Sequence, residues 1–246
     1  MTTAPLTDQR RLLDLQALDT QIAKIGHQRR SLPVLATLAE LEGRAEDLHR
    51  AQVEAKTLVS DTRREVAKAE ADVEQVRSRA RRHQQLLDSG TGTSKDLQAL
   101  QTELGQLAAR QEVLEEIELE AMERLESAEQ TVADLQTQQD AIVADVESGT
   151  AERDRAFAEL DERLAQLRAE RDALAGQIDA ELLDLYEDVR SRTGGLGAVA
   201  LHGTRTEPVS LDLSLTELDA VRSAAPDDVV VSEDYGYILV QMDRDA

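Results

Sequence analysis

Residues 87–104 read Leu-Asp-Ser-Gly-Thr-Gly-Thr-Ser-Lys-Asp-Leu-Gln-Ala-Leu-Gln-Thr-Glu-Leu. Two glycines among short hydroxyl residues mark a tight turn, and Thr93 or Ser94 is placed to cap whatever helix follows. Upstream, Leu41, Ala45, Leu48, Gln52, Ala55, Val59, Thr62, Val66, Ala69, Val73, Val76, Ala80, His83 and Leu87 alternate steps of four and three. Downstream, the same alternation runs from Leu100 through Leu114, Ala121, Ala128, Leu135 and Ile142 to Leu160. It resumes at Leu164, Leu167, Arg171, Leu174 and Ile178 after a stutter. A seam that recurs every 3.5 residues requires a partner helix wound left-handedly against it. Two such seams of similar length, joined by a glycine turn, predict an antiparallel coiled-coil hairpin. Two parallel rods in a homodimer are the competing arrangement for the same heptads.

Outward from the hairpin, Leu12, Leu15, Leu18, Ile22 and Ile25 form the stripe of an amphipathic helix. Pro33 then predicts a break near Leu32. The hairpin is placed at residues 6–180, with its turn near 88–95. Leu182, Leu183, Leu185, Tyr186 and Val189 predict a short helix closed by Arg190 and Arg192, and Thr-Gly-Gly-Leu-Gly (193–197) reads as a hinge; these make a segment at 181–198. Past it the period changes. Val209, Leu211 and Leu213 alternate with polar residues as in a strand. Leu215–Val221 reads as a helix started by Thr216, and Val229–Val231 and Tyr237–Val240 read as strands around a turn. Residues 199–242 are therefore a small head. The fold class is mainly α: a long antiparallel coiled-coil hairpin with a small C-terminal β-containing head.

Composition agrees with this plan. Phe157, Tyr186, Tyr235 and Tyr237 are the only aromatic residues, 2% of the chain, which is too few for a large globular core. Charged residues make up 32%, and the net charge of −22 opposes broad binding to nucleic acid or anionic membrane. There is no cysteine, the N-terminus lacks an apolar leader, and no stretch reaches membrane-spanning length, so a cytoplasmic protein with no membrane contact is expected. No catalytic set is visible. His27, His49, His83 and His202 are dispersed, and Gly-Thr-Gly-Thr-Ser-Lys lacks phosphate-loop spacing. The expectation is a protein that is not an enzyme and carries no cofactor.

Four segments carry a family resemblance: Leu-Leu-Asp-Leu-Gln-Ala-Leu-Asp (12–19), Ser-Lys-Asp-Leu-Gln-Ala-Leu-Gln-Thr-Glu-Leu (94–104), Leu-Tyr-Glu-Asp-Val-Arg (185–190), and the tail from Ala224 to Val240. The chain resembles the bacterial coiled-coil family that ends in a C4-type zinc ribbon. The resemblance places that family's two Cys-x-x-Cys knuckles at Thr206–Val209 and Ser232–Tyr235, so the spacing is kept and all four thiolates are gone. Thr206, Val209, Ser232 and Tyr235 offer no zinc-ligand set, and His202 is a lone imidazole. The head is expected to be a degenerate, metal-free ribbon whose centre is filled by Val209 and the Tyr235 ring. Alternatively, it is a small β cap unrelated to a ribbon. The resemblance also implies a chaperone-like or adaptor role.

Near the turn, Arg77, Arg79, Arg81, Arg82 and Lys95 make a local basic cluster on an acidic chain. They are the candidate partner-binding residues. The primary functional expectation is a non-enzymatic adaptor or scaffold that binds proteins through the hairpin tip and the head. The alternative is an RNA-binding protein that uses the basic tip, limited by its few cations and the absence of a stacking aromatic there.

Overall fold

The computed structural model describes residues 2–243. Its elements are α1 (Leu6–Arg30), α2 (Pro33–Asp88), α3 (Ser94–Ala175), α4 (Ala180–Arg192), β1 (Ala198–His202), β2 (Arg205–Glu207), α5 (Leu215–Ser223), β3 (Val230–Val231) and β4 (Ile238–Gln241). The chain clusters into two units, one of residues 36–150 and one of residues 1–35 with 151–246.

The 36–150 unit is the coiled-coil hairpin, with arms roughly 80 Å long at 1.5 Å per residue. Leu41, Leu48, Ala55, Val59, Val66, Ala69 and Val73 of α2 are buried against Leu114, Ala121, Ala128 and Ile142 of α3. Polar seam residues are accommodated locally. Gln52 donates across the hairpin to the Leu135 carbonyl at 3.3 Å, and the Thr62 hydroxyl returns to the Leu58 carbonyl of its own helix at 2.8 Å. α3 continues unbroken through Gly149. The turn uses both glycines in left-handed conformations, Gly90 at φ 63° and Gly92 at φ 140°. Thr93 then caps α3. Its hydroxyl oxygen accepts from the Asp96 N–H at 3.2 Å, while the Asp96 carboxylate accepts from the Thr93 N–H at 2.9 Å. The Thr93 hydroxyl also donates to the Asp96 carboxylate at 2.7 Å, and this bond first, then the Thr93 N–H, holds the Asp96 carboxyl below the ordinary aspartate range.

In the other unit, a four-stranded sheet in the order β2-β1-β4-β3 has helices on both faces. β1 and β4 are parallel, although 35 residues separate His202 from Ile238, and β2 and β3 flank them antiparallel. Alternation along the inner strands divides the core. Ala198, Ile238 and Val240 face Leu12 and Leu15 of α1 and Leu182, Tyr186 and Val189 of α4. Val199, Leu201 and Leu239 face Leu211 and α5 residues Leu218 and Val221. One face of the head's sheet is thus built on the first helix of the chain. The N-terminal segment also reaches it, with Thr3 bridging Asp228.

Three local expectations are corrected. Residues 209–213 form no strand, because the Thr206 hydroxyl bonds the Val209 carbonyl and the Leu211 N–H, both at 2.7 Å, while Leu211 turns into the core. α5 is started by Ser214 rather than Thr216, through a reciprocal capping box with Glu217. The Gly-rich 193–197 segment is held rather than loose. Gly194 and Gly195 have positive φ, the Gly195 N–H returns to the Arg190 carbonyl at 2.9 Å, and Gln16 accepts from the Gly197 N–H.

Candidate functional site

The tip arginines do not converge on one patch. With about 100° of rotation per residue, Arg77 and Arg81 lie on one side of the α2 seam and Arg79 and Arg82 on the other. Arg77 crosses the hairpin to Glu115 at 2.6 Å, and Arg79 approaches Glu103 at 3.9 Å. Arg81 pairs with Glu74 on its own helix, and Arg82 donates to the Ser78 hydroxyl at 3.4 Å. Lys95 is exposed in the first turn of α3. The hydrogen bond to Glu115 raises the Arg77 guanidinium above its ordinary range; Glu115 is held low by Gln111 first and Arg77 second. His83 points its Nδ1 toward Glu103 at 2.9 Å. Three of the four arginines therefore have a carboxylate partner already.

In the head, the family-ligand positions divide into two kinds. Thr206 and Ser232 are buried, at 5% and 3% exposure, whereas Val209 and Tyr235 stand at 42% and 38%. The expected filling of the centre by Val209 and the Tyr235 ring is thus corrected. The buried hydroxyls do the local work. Thr206 closes its own turn through Val209 and Leu211, and Ser232 accepts from the Tyr235 N–H at 3.1 Å while donating to Glu217 at 2.8 Å. The four side chains do not fit a zinc ion, since two hydroxyls are committed to protein partners and Val209 has no donor atom. Among the described residues no group of three or more His, Cys, Asp or Glu is arranged to hold a metal.

Around Ser232 the head presents its other chemistry. The Ser232 hydrogen bond and the N–H groups of Ser214 and Glu233 hold Glu217 below the ordinary glutamate range. Leu215, in the first turn of α5, is 82% exposed. The Tyr235 ring stacks on Tyr237 with centroids 6.5 Å apart, and its hydroxyl reaches the Asp212 carbonyl at 3.4 Å. Residues 199–243 contain nine acidic residues and two basic ones, Arg205 and Arg222.

A buried charged network lies where α1, α3 and α4 meet. Asp19 is buried and paired with Arg171 at 2.6 Å and Arg190 at 3.5 Å. Glu187 joins both arginines. Tyr186, fully buried, donates its hydroxyl to Asp19 at 2.8 Å. The bond from Asp19 raises Arg171, and burial, then the Asp19 charge, raises Tyr186. These groups lock three helices together. Asp19, Gln16 and Tyr186 lay inside two segments quoted for the resemblance, but periodicity alone could not single them out. Asp19 falls one residue beyond the apolar position Leu18, and its arginine partner is 152 residues away.

The chain is therefore a coiled-coil hairpin protein with a compact α/β head. Residues 15–194 match the model of the CT398-like coiled coil hairpin domain, and the chain belongs to that family. It is 33% identical over 98% of both chains to uncharacterized proteins from two strains of Mycobacterium tuberculosis. Its structure is similar to one from Mycobacterium smegmatis, with a TM-score of 0.85, 32% identity, and coverage of 98% of this chain and 100% of that one. CT398 from Chlamydia trachomatis shares the fold at a TM-score of 0.71 and 16% identity, over 96% of this chain and 98% of that one. No helix among the described residues is long and apolar enough to cross a membrane.

Proposed function

We propose that this protein is a non-enzymatic adaptor in which the head is the principal docking module for partner proteins. The observation that carries the reading is the exposure of large apolar side chains on the head. Leu215, Val209 and Tyr235 stay in solvent on a unit whose folding core is already complete beneath them. Side chains of that kind on an acidic surface favour a protein contact. The head reads as a ribbon-like module in which the hydroxyls of Thr206 and Ser232 close the knuckle turns without metal.

The RNA-binding alternative depends on a basic tip. Pairing of Arg77, Arg79 and Arg81 with glutamates leaves Arg82 and Lys95 as the tip cations without a carboxylate within ion-pair distance among the described residues. Two cations release few counterions, and affinity for a polyanion scales with that number.

Affinity capture from the native host tests the reading, comparing the intact chain with Leu215→Asp and with Arg82→Gln/Lys95→Gln. The docking reading expects proteins retained by the intact chain and the tip variant and lost by Leu215→Asp. Retention of RNA that only the tip variant loses would replace it with the alternative. Truncation after Arg192 is a poor test, because it would uncover the faces of α1 and α4 that the sheet buries.

A further inference from the structure

β3 is an edge strand, and its outer side is partly used already. On the inner side, Val230 lies opposite Leu239 and the Ser232 N–H donates to the Tyr237 carbonyl at 2.8 Å. Antiparallel ladders alternate, so Val229 and Val231 turn their N–H and C=O groups outward. The Val229 N–H donates to the Thr2 carbonyl at 3.1 Å, and the Asp227 carbonyl accepts from the Ala4 N–H at 2.8 Å. The chain's own N-terminal segment thus adds one antiparallel bridge to this edge. In the same register the next hydrogen-bonding position is Val231, whose N–H and C=O have no partner among the described residues. They open on a cleft of about 620 Å³ along β3, flanked by Leu185 of α4 and by Glu217 and Ala220 of α5. Val229 and Val231 supply apolar wall with Leu185 on the α4 face of the sheet. Glu217, Asp228 and Glu233 supply carboxylates, and no Lys or Arg lines the cleft.

We infer that this edge accepts an extended basic segment of a partner protein by strand addition at Val231. A peptide running along the edge pairs its backbone with Val231, extending the ladder that Thr2–Ala4 has begun. Alternate side chains of an added strand point to opposite sides, so apolar residues face the valine wall while Lys or Arg residues face Glu217 and Glu233. The surplus of carboxylates selects against acidic peptides and against nucleic acid. The inference rests on the docking role proposed for the head and names the peptide class it takes.

The probe is a fluorescein-labelled, end-blocked Lys-Val-Lys-Val-Lys-Val peptide, titrated into the full-length chain by anisotropy. Two controls are its Glu-Val counterpart and a version N-methylated at alternate residues, which keeps the charge and removes the backbone donors. Hydrogen exchange of the Val231 amide is followed in parallel. The Lys-Val peptide should bind at least about tenfold more tightly than either control and slow exchange at Val231. Glu233→Lys, whose side chain is exposed, should weaken binding about tenfold with no change in melting temperature. Equal binding by the N-methylated peptide, or an unprotected Val231 amide, would overturn strand addition. If that happens while Leu215→Asp still releases captured proteins, the docking role of the head stands and only its peptide mode falls.

Discussion

The hydroxyl of Tyr186 on α4 donates at 2.8 Å to the carboxylate of Asp19 on α1, 167 residues earlier in the chain. Asp19 in turn receives Arg171 of α3. One carboxylate therefore ties the first helix of the chain to the end of the long helix and to the helix that leads into the sheet. A buried carboxylate costs several kcal/mol to desolvate, and here that cost is offset only because every partner is in place.

Tyr186→Phe removes the hydroxyl and leaves the ring. Urea unfolding of the variant should show a loss of about 1–3 kcal/mol, the value of a buried hydrogen bond to a charged acceptor, with helicity retained in the native baseline. Asp19→Leu should be harsher, at about 3–5 kcal/mol, because it leaves Arg171 and Arg190 sharing Glu187 alone and takes from the Tyr186 hydroxyl its charged acceptor. A Tyr186→Phe variant as stable as the parent would show that the hydroxyl is not part of the lock.

Gly197 is required by the same ring. A methyl group added there would sit 2.5 Å from Tyr186 Cε2, far inside contact distance. Gly197→Ala should cost about 1–3 kcal/mol through overpacking. Tyr186→Leu, itself destabilising, should absorb most of that added cost in a double-mutant cycle. Additive losses in the cycle would place the strain elsewhere.

The hairpin was legible because its signal is periodic: a seam such as Ala55–Val59–Thr62–Val66 needs no knowledge of distant residues. The sheet was less so. Ala198–Leu201 is buried on both faces, so it shows no alternation, and its parallel neighbour Ile238–Gln241 lies far along the chain. The stripe of Leu12 and Leu15 announced a helix, but nothing in it told that the helix would floor a C-terminal sheet. At the knuckles, side-chain volume misled. The ring of Tyr235 invited burial, whereas the buried positions went to the hydroxyls of Thr206 and Ser232, which can satisfy turn N–H and C=O groups that a ring cannot.

Those hydroxyls give a stability ranking. Tyr235→Ala should cost about 1 kcal/mol, the scale of a half-exposed stacked ring. Thr206→Val and Ser232→Ala should each cost about 1–3 kcal/mol, because each leaves buried groups unpaired. Thermal melts with and without chelator should coincide, and elemental analysis should find no stoichiometric zinc. One zinc per chain, or a Tyr235→Ala loss well above those of the hydroxyl variants, would refute this account of the knuckles.

The Ser232–Glu217 bond also sets a pH dependence. Glu217 is held below the ordinary glutamate pKa, chiefly by the Ser232 hydroxyl. A depressed carboxylate contributes stability that is present above its unfolded value, about 4.3, and is lost as pH falls through the lower folded value. Carboxyl chemical shifts should report Glu217 titrating below the ordinary glutamate value, and Ser232→Ala should move it upward. An unchanged midpoint in Ser232→Ala would remove Ser232 as the cause.

The most direct test of the docking role is photocrosslinking in the native host, with a photoreactive residue placed at Leu215 on the head, at Arg82 near the tip, or at Glu147 on the flank of the hairpin. The account predicts discrete protein adducts at position 215, exceeding those at 82 and 147. Adducts that form equally at all three positions, or nucleic acid trapped at 82 with no protein at 215, would contradict it.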